Sequence, residues 1–341
     1  MKIVIVGAGA VGGIIAGYLS NSNYSIQLVC KHREILEAIE NNGLRIDGVR
    51  EQLICYPSTV MDISQIADKP DFVLLATKAY DVKEACVSLL PILKEDTAVV
   101  SLQNGICEDT IAEIVRPQRT IGCVVGWGAT MLGPGRLDLT SEGEFIIGEL
   151  DGQITHRLLL LRSVLEKIFP VRISTNIYGA LYSKLIINSC ITTLGAISGL
   201  YLGELLNLKI ARTIFLHIFS EAVAVANVLQ FKLEKIAGRI DPYEFALTPR
   251  ELTNRFSFSL MKKHLLIWLI GRKYRRLKSS SLQSLERGKP TEIDVLNGYI
   301  LKKARQYNIP VPVNQRLVAL VKNIEMGKNK IERENLLKVL S

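Results

Sequence analysis

The chain has 341 residues, which at about 150 residues per domain corresponds to two domains. Apolar residues make up 48% of it and charged residues 22%, a composition that excludes an intrinsically disordered chain. The net charge of +9 is uneven, because residues 1–175 carry 16 basic and 21 acidic side chains and residues 176–341 carry 26 and 12. The acidic first half argues against a protein that binds nucleic acid over its whole surface.

The first half alternates strand-like and helix-like segments. The apolar run Ile3–Val6 is typical of a buried parallel strand, and similar runs follow at Ser25–Cys30, Phe72–Thr77, Ala98–Leu102 and Thr120–Val125. Helical patterns such as Val82–Leu93 and Asp109–Val115 lie between some of them. This alternation predicts an α/β domain with a Rossmann-type, doubly wound parallel sheet. Two segments, Leu44–Ile54 and Gly133–Gly148, are expected as hairpin-like additions.

The second half shows helical periodicity and no strand alternation. The predicted helices are Tyr178–Ile197, Ala211–Val228, Pro249–Ile270, Glu292–Gln306 and Gln315–Met326. We therefore expect an α/β domain over residues 1–175 and an all-α domain over residues 176–341. No flexible linker separates them, so we expect them to pack directly, with a cleft between them.

Cysteine and histidine usage indicates an intracellular protein without a metal site. None of the six cysteines forms a CxxC pair, and the four histidines are scattered, so we expect reduced thiols in a cytoplasmic protein. Two nearly uncharged stretches, Ile3–Cys30 and Leu185–Gly203, approach the ~20 residues of a membrane span. Glycines and polar residues interrupt both, which favours soluble core segments.

A glycine-rich loop follows the first strand directly. Residues Gly7, Ala8, Gly9, Ala10, Val11 and Gly12 form G-x-G-x-x-G between a strand and a small-residue helix. Gly7 permits the tight turn, Gly9 lets the backbone approach a pyrophosphate, and Gly12 lets the helix lie against the strand. The loop therefore predicts dinucleotide binding.

Basic residues follow the second strand, where an NAD enzyme usually carries an acid. Lys31, His32 and Arg33 stand at this place. An acid would accept hydrogen bonds from the ribose 2′-hydroxyl, whereas Lys31 and Arg33 would attract a 2′-phosphate. We therefore expect NADP, as NADPH, with a solvated basic turn as the alternative.

Polar residues also end two further strands. Lys78 follows one strand and Asn104, within Gln103-Asn104-Gly105, follows the next, and ligands bind at such carboxyl ends of parallel strands. Here the chain resembles the ketopantoate reductase family over essentially its whole length. The resemblance rests on GAGAVG, ATKAYD, SLQNG, YSKLIINS and SSSLQSLERGKPTEIDVLNG.

This resemblance implies NADPH-dependent reduction of ketopantoate to pantoate, on the way to pantothenate and coenzyme A. It also implies an all-α domain like the C-terminal domain of 6-phosphogluconate dehydrogenase. Lys184 matches the catalytic lysine, and Asn104 and Lys78 match cofactor contacts. The substrate-binding positions are Asn104, Asn188, Thr192, Ser280 and Glu292.

Residue spacing supports part of this assignment independently. Lys184, Asn188 and Thr192 are spaced i, i+4, i+8, so they share one face of an otherwise apolar helix. An ammonium group can stabilise the charge that forms on a reduced carbonyl and donate the proton. A surface lysine remains the alternative for Lys184, and a helix-start acid the alternative for Glu292.

Three positions depart from the family pattern. Thr192 replaces a second asparagine, Ser284 replaces an aspartate after Gln283, and Lys31 replaces an arginine. Thr192 and Ser284 fall near the expected substrate pocket, so another 2-keto acid is an alternative substrate.

The segment Lys262–Lys278 carries much of the positive charge. A basic amphipathic stretch can dock on an anionic membrane or on nucleic acid. We favour a helix that packs its apolar face on its own domain, so we expect neither partner. A non-catalytic NADP-binding protein that uses this segment is the alternative from another class. For the oligomeric state, we favour a homodimer through the helical domain.

Overall fold

The computed structural model describes residues 1–235, 240–253 and 257–340. The chain divides into two compact units, Met1–Leu181 and Tyr182–Ser341. The division falls within one long helix, Ile177–Ser198. The predicted boundary after residue 175 stays a prediction.

An eight-stranded sheet forms the centre of the first unit. The strands described in this unit are β1 Lys2–Val6, β2 Ser25–Val29, β3 Leu44–Gly48, β4 Leu53–Cys55, β5 Ser58–Val60, β6 Phe72–Leu75, β7 Ala98–Ser101, β8 Thr120–Val125, β9 Gly128–Gly133, β10 Arg136–Ser141, β11 Phe145–Glu149 and β12 Val171–Ile173. The order in the large sheet is β12-β11-β8-β7-β6-β1-β2-β5. Its pairs are parallel except β11 with β8, which is antiparallel.

Helices cover both faces of this sheet, as the continuous apolar strands predict. They are α1 Ala10–Ser20, α2 Arg33–Asn42, α3 Val82–Leu89, α4 Glu108–Val115 and α5 His156–Leu165. Ile3 and Ile5 of β1 pack on the side of α1, whereas Val4 and Val6 pack with residues of α3 and α4. The predicted doubly wound α/β domain is confirmed.

A second sheet of four strands, in the order β4-β3-β10-β9, packs beside α1. The expected hairpin at Leu44–Ile54 is present as the antiparallel pair β3 and β4. The expected addition at Gly133–Gly148 was wrong, because β10 pairs with β9 and β3, while β11 joins the large sheet. The burial of the two strands explains this outcome. On β10 Leu137 and Leu139 alternate with polar residues, whereas β11 is largely buried and has no polar side chain before its last residue, Glu149.

The second unit is helical over its described residues, as predicted. Its helices are α6 Ile177–Ser198 (which begins in the first unit), α7 Leu202–Asn207, α8 Lys209–Val228, α9 Pro242–Phe245, α10 Pro249–Thr253, α11 Phe258–Lys273, α12 Ser280–Glu286, α13 Asn297–Gln306, α14 Pro312–Glu325 and α15 Asn335–Leu340. The predicted helix Pro249–Ile270 corresponds to α10 and α11, and its residues 254–256 lie outside the described residues. The predicted helix Glu292–Gln306 begins instead with a 3₁₀ turn, Ile293–Val295, before α13.

Among the described residues, two helices, α6 and α8, are long and apolar enough to cross a membrane by length and composition. In the most apolar window of α6 78% of the residues are buried inside the protein, and in that of α8 56% are. Such burial is typical of core helices in a globular unit.

Candidate active site

The strands that carry the predicted cofactor residues end side by side. Val6 at the end of β1 pairs with Leu75 of β6, and Leu75 pairs with Ser101 of β7. The amide of Ala76 donates to the Val6 carbonyl at 2.9 Å, and that of Leu102 to the Leu75 carbonyl at 2.9 Å. The glycine loop, Lys78 and Asn104 therefore follow neighbouring strand ends at one edge of the sheet, where α/β sheets bind ligands.

Two glycines of the loop are required by the backbone. Gly7 has φ +113°, and a Cβ there would lie 2.8 Å from the Ala76 carbonyl oxygen. A Cβ on Gly12 would lie 2.0 Å from the Gly7 carbonyl oxygen. Larger residues would thus push α1 away from β1 and β6, as the motif predicts.

Gly9 differs from these two, because a Cβ built there meets no atom within 4 Å. Gly9 is the N-cap of α1, and no side chain caps this helix end. The first turn of α1, which includes Ala10 and Val11, contains no acidic residue. The open space at Gly9 and the uncapped helix end together fit the pyrophosphate of a dinucleotide.

The basic residues after β2 are exposed. The Lys31 Nζ atom lies 3.5 Å from Asp81 Oδ1 and 3.9 Å from Glu84 Oε2. Arg33 is the first residue of α2 and pairs with no carboxylate in the described part of the chain. Exposed pairs such as those of Lys31 contribute little, so both cations stay available to an anion.

A buried glutamine joins the two strand ends that precede Lys78 and Asn104. The Gln103 amide nitrogen donates to the Leu75 carbonyl at 2.9 Å, and its oxygen accepts from the Ser101 hydroxyl at 3.0 Å. Gln103 is 5% exposed, while Asn104 is half-buried and Lys78 is exposed. Gln103 thus fixes the edge that presents Asn104, a role that the sequence did not indicate.

Helix α6 carries three of the predicted substrate and catalytic residues. Lys184 and Asn188 are half-buried, and Thr192 is 7% exposed. Their spacing of four residues on one continuous helix places them on one side of it. The apolar neighbours Leu185 and Ile186 are buried, so Lys184 and Asn188 interrupt an otherwise buried helix.

A buried polar network holds this helix in the second unit. The Thr193 hydroxyl donates to Asn297 Oδ1 at 2.5 Å, and Asn297 Nδ2 donates to Asn314 Oδ1 at 2.9 Å. Asn314 Nδ2 in turn donates to Glu221 Oε2 at 2.7 Å. The network links α6 to α13, α14 and α8, and fully satisfied networks of this kind fix one arrangement. Sequence reasoning missed it, because single polar residues in helices do not reveal their partners.

Ser280 and Glu292 lie on other elements of the second unit. Ser280 is the exposed first residue of α12, and the preceding Ser279 caps this helix by accepting from the Leu282 amide at 3.2 Å. A Cβ on Gly195 would lie 2.5 Å from Ser279 Oγ, so the start of α12 packs against α6. Glu292 is 9% exposed and precedes the 3₁₀ turn.

The first turn after Glu292 also shows an ion pair. Asp294 Oδ2 lies 2.5 Å from Lys322 Nζ, and Lys322 lies 3.1 Å from Glu325. The Glu325 carboxylate also accepts from the Thr291 amide and hydroxyl at 2.8 and 2.7 Å. These contacts fix the backbone on both sides of Glu292.

The structure therefore groups the predicted residues in two sets. The first unit brings the glycine loop, Lys31, Arg33, Lys78 and Asn104 to one sheet edge. The second unit brings Lys184, Asn188 and Thr192 to one side of α6, with the start of α12 packed on the same helix. Over the described ranges, no group of three His, Cys, Asp or Glu side chains has the placement of a metal site.

Comparison with known proteins assigns the family. The family model described as "Ketopantoate reductase PanE/ApbA" matches residues 3–152. The model described as "Ketopantoate reductase PanE/ApbA C terminal" matches residues 176–325. The chain belongs to the ketopantoate reductase family. The two matches together cover most of the chain, as the resemblance of its motifs implies.

Relatives that match this chain over nearly its full length are named 2-dehydropantoate 2-reductase. A protein named 2-dehydropantoate 2-reductase from Pyrococcus horikoshii is 31% identical over 94% of this chain and 97% of its own length. A protein of that name from Archaeoglobus fulgidus is 27% identical over 96% and 98%. The prediction of an oxidoreductase of this family is thereby confirmed.

Solved structures agree with the fold. A ketopantoate reductase of the PanE/ApbA family from Ralstonia eutropha JMP134 superposes with a TM-score of 0.81, at 31% identity, over 96% of this chain and 99% of that chain. D-mandelate dehydrogenase in a ternary structure with NADH and anilino(oxo)acetate superposes with a TM-score of 0.80 at 23% identity, over 96% and 99%. The latter likeness shows the fold.

Proposed function

We propose that this member of the ketopantoate reductase family reduces 2-dehydropantoate (ketopantoate) to (R)-pantoate with NADPH, in the cytoplasmic synthesis of pantothenate and coenzyme A. The observation that carries the proposal is the half-buried pair Lys184 and Asn188 on the core helix α6. An ammonium group and a carboxamide on one side of an otherwise buried helix are donors that suit the carbonyl and the carboxylate of a keto acid.

The bound nicotinamide would supply a hydride to the keto carbon. In the proposed mechanism the Lys184 ammonium stabilises the negative charge that develops on the substrate oxygen and donates the proton. Asn188 and Thr192 on the same side of α6 would orient the substrate. The buried Glu292 carboxylate would accept a hydrogen bond from the substrate hydroxyl, and the Ser280 hydroxyl would donate one to the substrate carboxylate.

The cofactor is held, in this proposal, by the sheet edge of the first unit. The amides of Gly7–Gly12 and the α1 N-terminus would bind the pyrophosphate, and Lys78 and Asn104 would contact the nicotinamide half. Lys31 and Arg33 would bind the 2′-phosphate and so favour NADPH over NADH. D-mandelate dehydrogenase, which shares this fold, was solved with NADH, so the choice of cofactor needs its own measurement.

The decisive experiment compares Lys184→Ala with Lys302→Ala, which alters an exposed lysine of α13. Loss of the proton donor should lower kcat by about 10²–10⁴-fold and leave the Kd for NADPH nearly unchanged. The control variant should behave as wild type. Equal turnover of the Lys184 variant and wild type would refute this role, and NADPH binding without turnover of any keto acid would favour a non-catalytic protein.

Cofactor preference is tested on Arg33. Arg33→Glu should lower kcat/KM for NADPH at least about tenfold and leave that for NADH unchanged, because only NADPH presents a 2′-phosphate. Lys69→Glu makes the same charge change at another exposed site of this unit and serves as control. An equal loss with both cofactors would contradict the assignment.

The substrate is tested with a panel of 2-keto acids and NADPH. We expect the highest kcat/KM with ketopantoate. Thr192→Asn restores the amide of the family pattern, so it should retain or improve this value. A higher kcat/KM for a 2-keto acid without the terminal hydroxyl would identify this chain as a reductase of another substrate.

A further inference from the structure

Helix α11 is apolar on two opposite sides. Its inner side buries Leu260 and Ile267, and a Cβ on Gly271 would lie 2.7 Å from Leu206 Cβ of α7. Its outer side exposes Phe258, Met261, Leu265 and Leu269, at 70%, 62%, 55% and 49% of their surface. These four residues recur every three or four positions, so they form one continuous stripe, here called the outer stripe.

An exposed stripe of this kind requires an explanation. Single apolar residues are common on protein surfaces, but a contiguous apolar patch usually marks a binding surface. The sequence predicted one apolar face packed on the domain, and the inner side of α11 fulfils that role. The outer stripe is additional to it.

Positive charge surrounds the outer stripe. Lys262, Arg272 and Lys273 fall on the same side of α11, and residues 257–278 contain no Asp or Glu. The buried Lys263 does not belong to this group, because it lies on the inner side and pairs with Glu251 at 2.7 Å. The outer surface of the helix is therefore apolar along its centre and cationic at its margins.

A cavity of about 550 Å³ opens beside the stripe. Its lining includes Trp268, Arg272, Arg275 and Arg276, and these three arginines form no ion pair in the described chain. The Arg272 guanidinium lies 4.7 Å from the centre of the Trp268 ring, and Trp268 Nε1 donates to Asn207 Oδ1 at 2.9 Å.

One acid, Glu204, also lines this cavity. Its carboxylate accepts from the Tyr201 amide at 3.1 Å and so stabilises the start of α7. Three guanidinium groups against one carboxylate leave the cavity cationic, with the planar, bidentate donors that suit phosphate oxygens.

We propose that the outer stripe and this cavity form a docking site for an anionic phospholipid surface. The stripe would enter the interfacial region of the bilayer, and the arginines would bind lipid phosphates. A second copy of the chain fits the observations less well, because pairing this face with itself would bring Lys262, Arg272 and Lys273 against like charges. Nucleic acid would engage the arginines but leave the stripe exposed.

Vesicle binding of the full-length protein tests the proposal. The protein should co-sediment with phosphatidylcholine vesicles that contain phosphatidylglycerol, and not with phosphatidylcholine alone. Binding should fall at about 0.5 M salt, which screens the headgroup attraction. Trp268 supplies a local signal, because the only other tryptophan, Trp127, is 6% exposed. The emission of Trp268 should shift to shorter wavelength with anionic vesicles.

Matched variants separate the two contributions. Leu265→Ser/Leu269→Ser should weaken partitioning at least about tenfold, whereas Leu337→Ser, at a leucine of α15 that is 64% exposed, should not. Arg275→Ser/Arg276→Ser should weaken it by about 30-fold, at roughly fivefold per charge, whereas Arg305→Ser, at an exposed arginine of α13, should not. Circular dichroism checks that each variant is folded.

Three results would overturn the proposal. The first is an absence of binding to anionic vesicles at low salt. The second is vesicle binding that the leucine pair does not change, since that would leave the stripe without a role. The third is a concentration-dependent dimer, measured by light scattering, that the leucine pair abolishes while vesicles do not bind, since the stripe would then be covered by a second copy.

Discussion

Substituting the buried Glu108 by glutamine should change how the stability of this protein depends on pH. Glu108 is the first residue of α4 and is fully buried, and neither carboxylate oxygen accepts a well-directed hydrogen bond in the described structure. Burial raises the pKa of Glu108 to about 7, and the nearby Ser101 hydroxyl and the Glu108 amide offset only part of this rise.

The magnitude follows from proton linkage. In the unfolded chain the Glu108 pKa returns to its ordinary value of 4.5, so between pH 4.5 and about 7 the folded state holds a proton that the unfolded state has released. The contribution is fully present below pH 4.5 and is lost as the pH rises through the folded pKa. At about 1.4 kcal/mol per pH unit, the free energy of unfolding should fall by about 3 kcal/mol over this window.

Glu108→Gln removes this titration and leaves the shape of the side chain almost unchanged. Urea unfolding followed by circular dichroism at about pH 5 and about pH 8 should show the variant gaining about 2.5 kcal/mol relative to wild type at the higher pH. Glu113→Gln, at an exposed position of the same helix, should follow wild type throughout. A difference between Glu108→Gln and wild type that stays constant with pH would refute the reasoning.

Two further predictions concern the glycine loop and a buried ion pair. The added Cβ of Gly9→Ala meets no protein atom, so the free energy of unfolding should change by less than about 0.5 kcal/mol, while the Kd for NADPH rises at least about tenfold. The added Cβ of Gly12→Ala would lie 2.0 Å from a backbone oxygen, so this variant should instead destabilise the protein by about 1–3 kcal/mol in thermal unfolding. Burial raises the Glu251 pKa, but hydrogen bonds from Lys263 and Thr248 outweigh it and lower that pKa to about 2, so stability from this pair is lost as the pH falls below 4.5. Lys263→Met should cost about 3–5 kcal/mol at pH 7, and Lys263→Met/Glu251→Leu should recover most of it in the same urea titration.

The fold of the first unit could be predicted because the composition of its strands reflects how each strand is buried. Ile3–Val6 is apolar at every position, as a strand covered by helices on both faces must be, and the structure covers it on both faces. The prediction for segment Gly133–Gly148 was wrong, because strand pairing depends on partner strands that are distant in sequence. Leu137 of β10 packs on α1, while β11 lies against β8.

The candidate site could be predicted only where backbone geometry dictates residue type. Gly7 and Gly12 are required by contacts with the neighbouring backbone, so the motif alone locates the loop. Glu108 and Asp109 look equivalent in the sequence as two acids at a helix start. The structure separates them, because Glu108 is fully buried while Asp109 accepts from the Tyr178 hydroxyl at 3.1 Å. Burial, which decides whether an acid keeps its proton, is a tertiary property.

The cationic side chains of the second unit lie in two different environments. Lys184 on α6 is half-buried among apolar neighbours, which suits the contact with a small anionic substrate that we propose for it. Arg275 and Arg276 lie instead in a cavity beside an exposed apolar stripe, in an all-helical unit. A basic helix that faced only water would not need exposed Leu265 and Leu269 between its charges, because apolar surface exposed to water is unfavourable in free energy. We therefore expect the two groups of cations to bind different partners, so variants of one group should leave the function of the other intact.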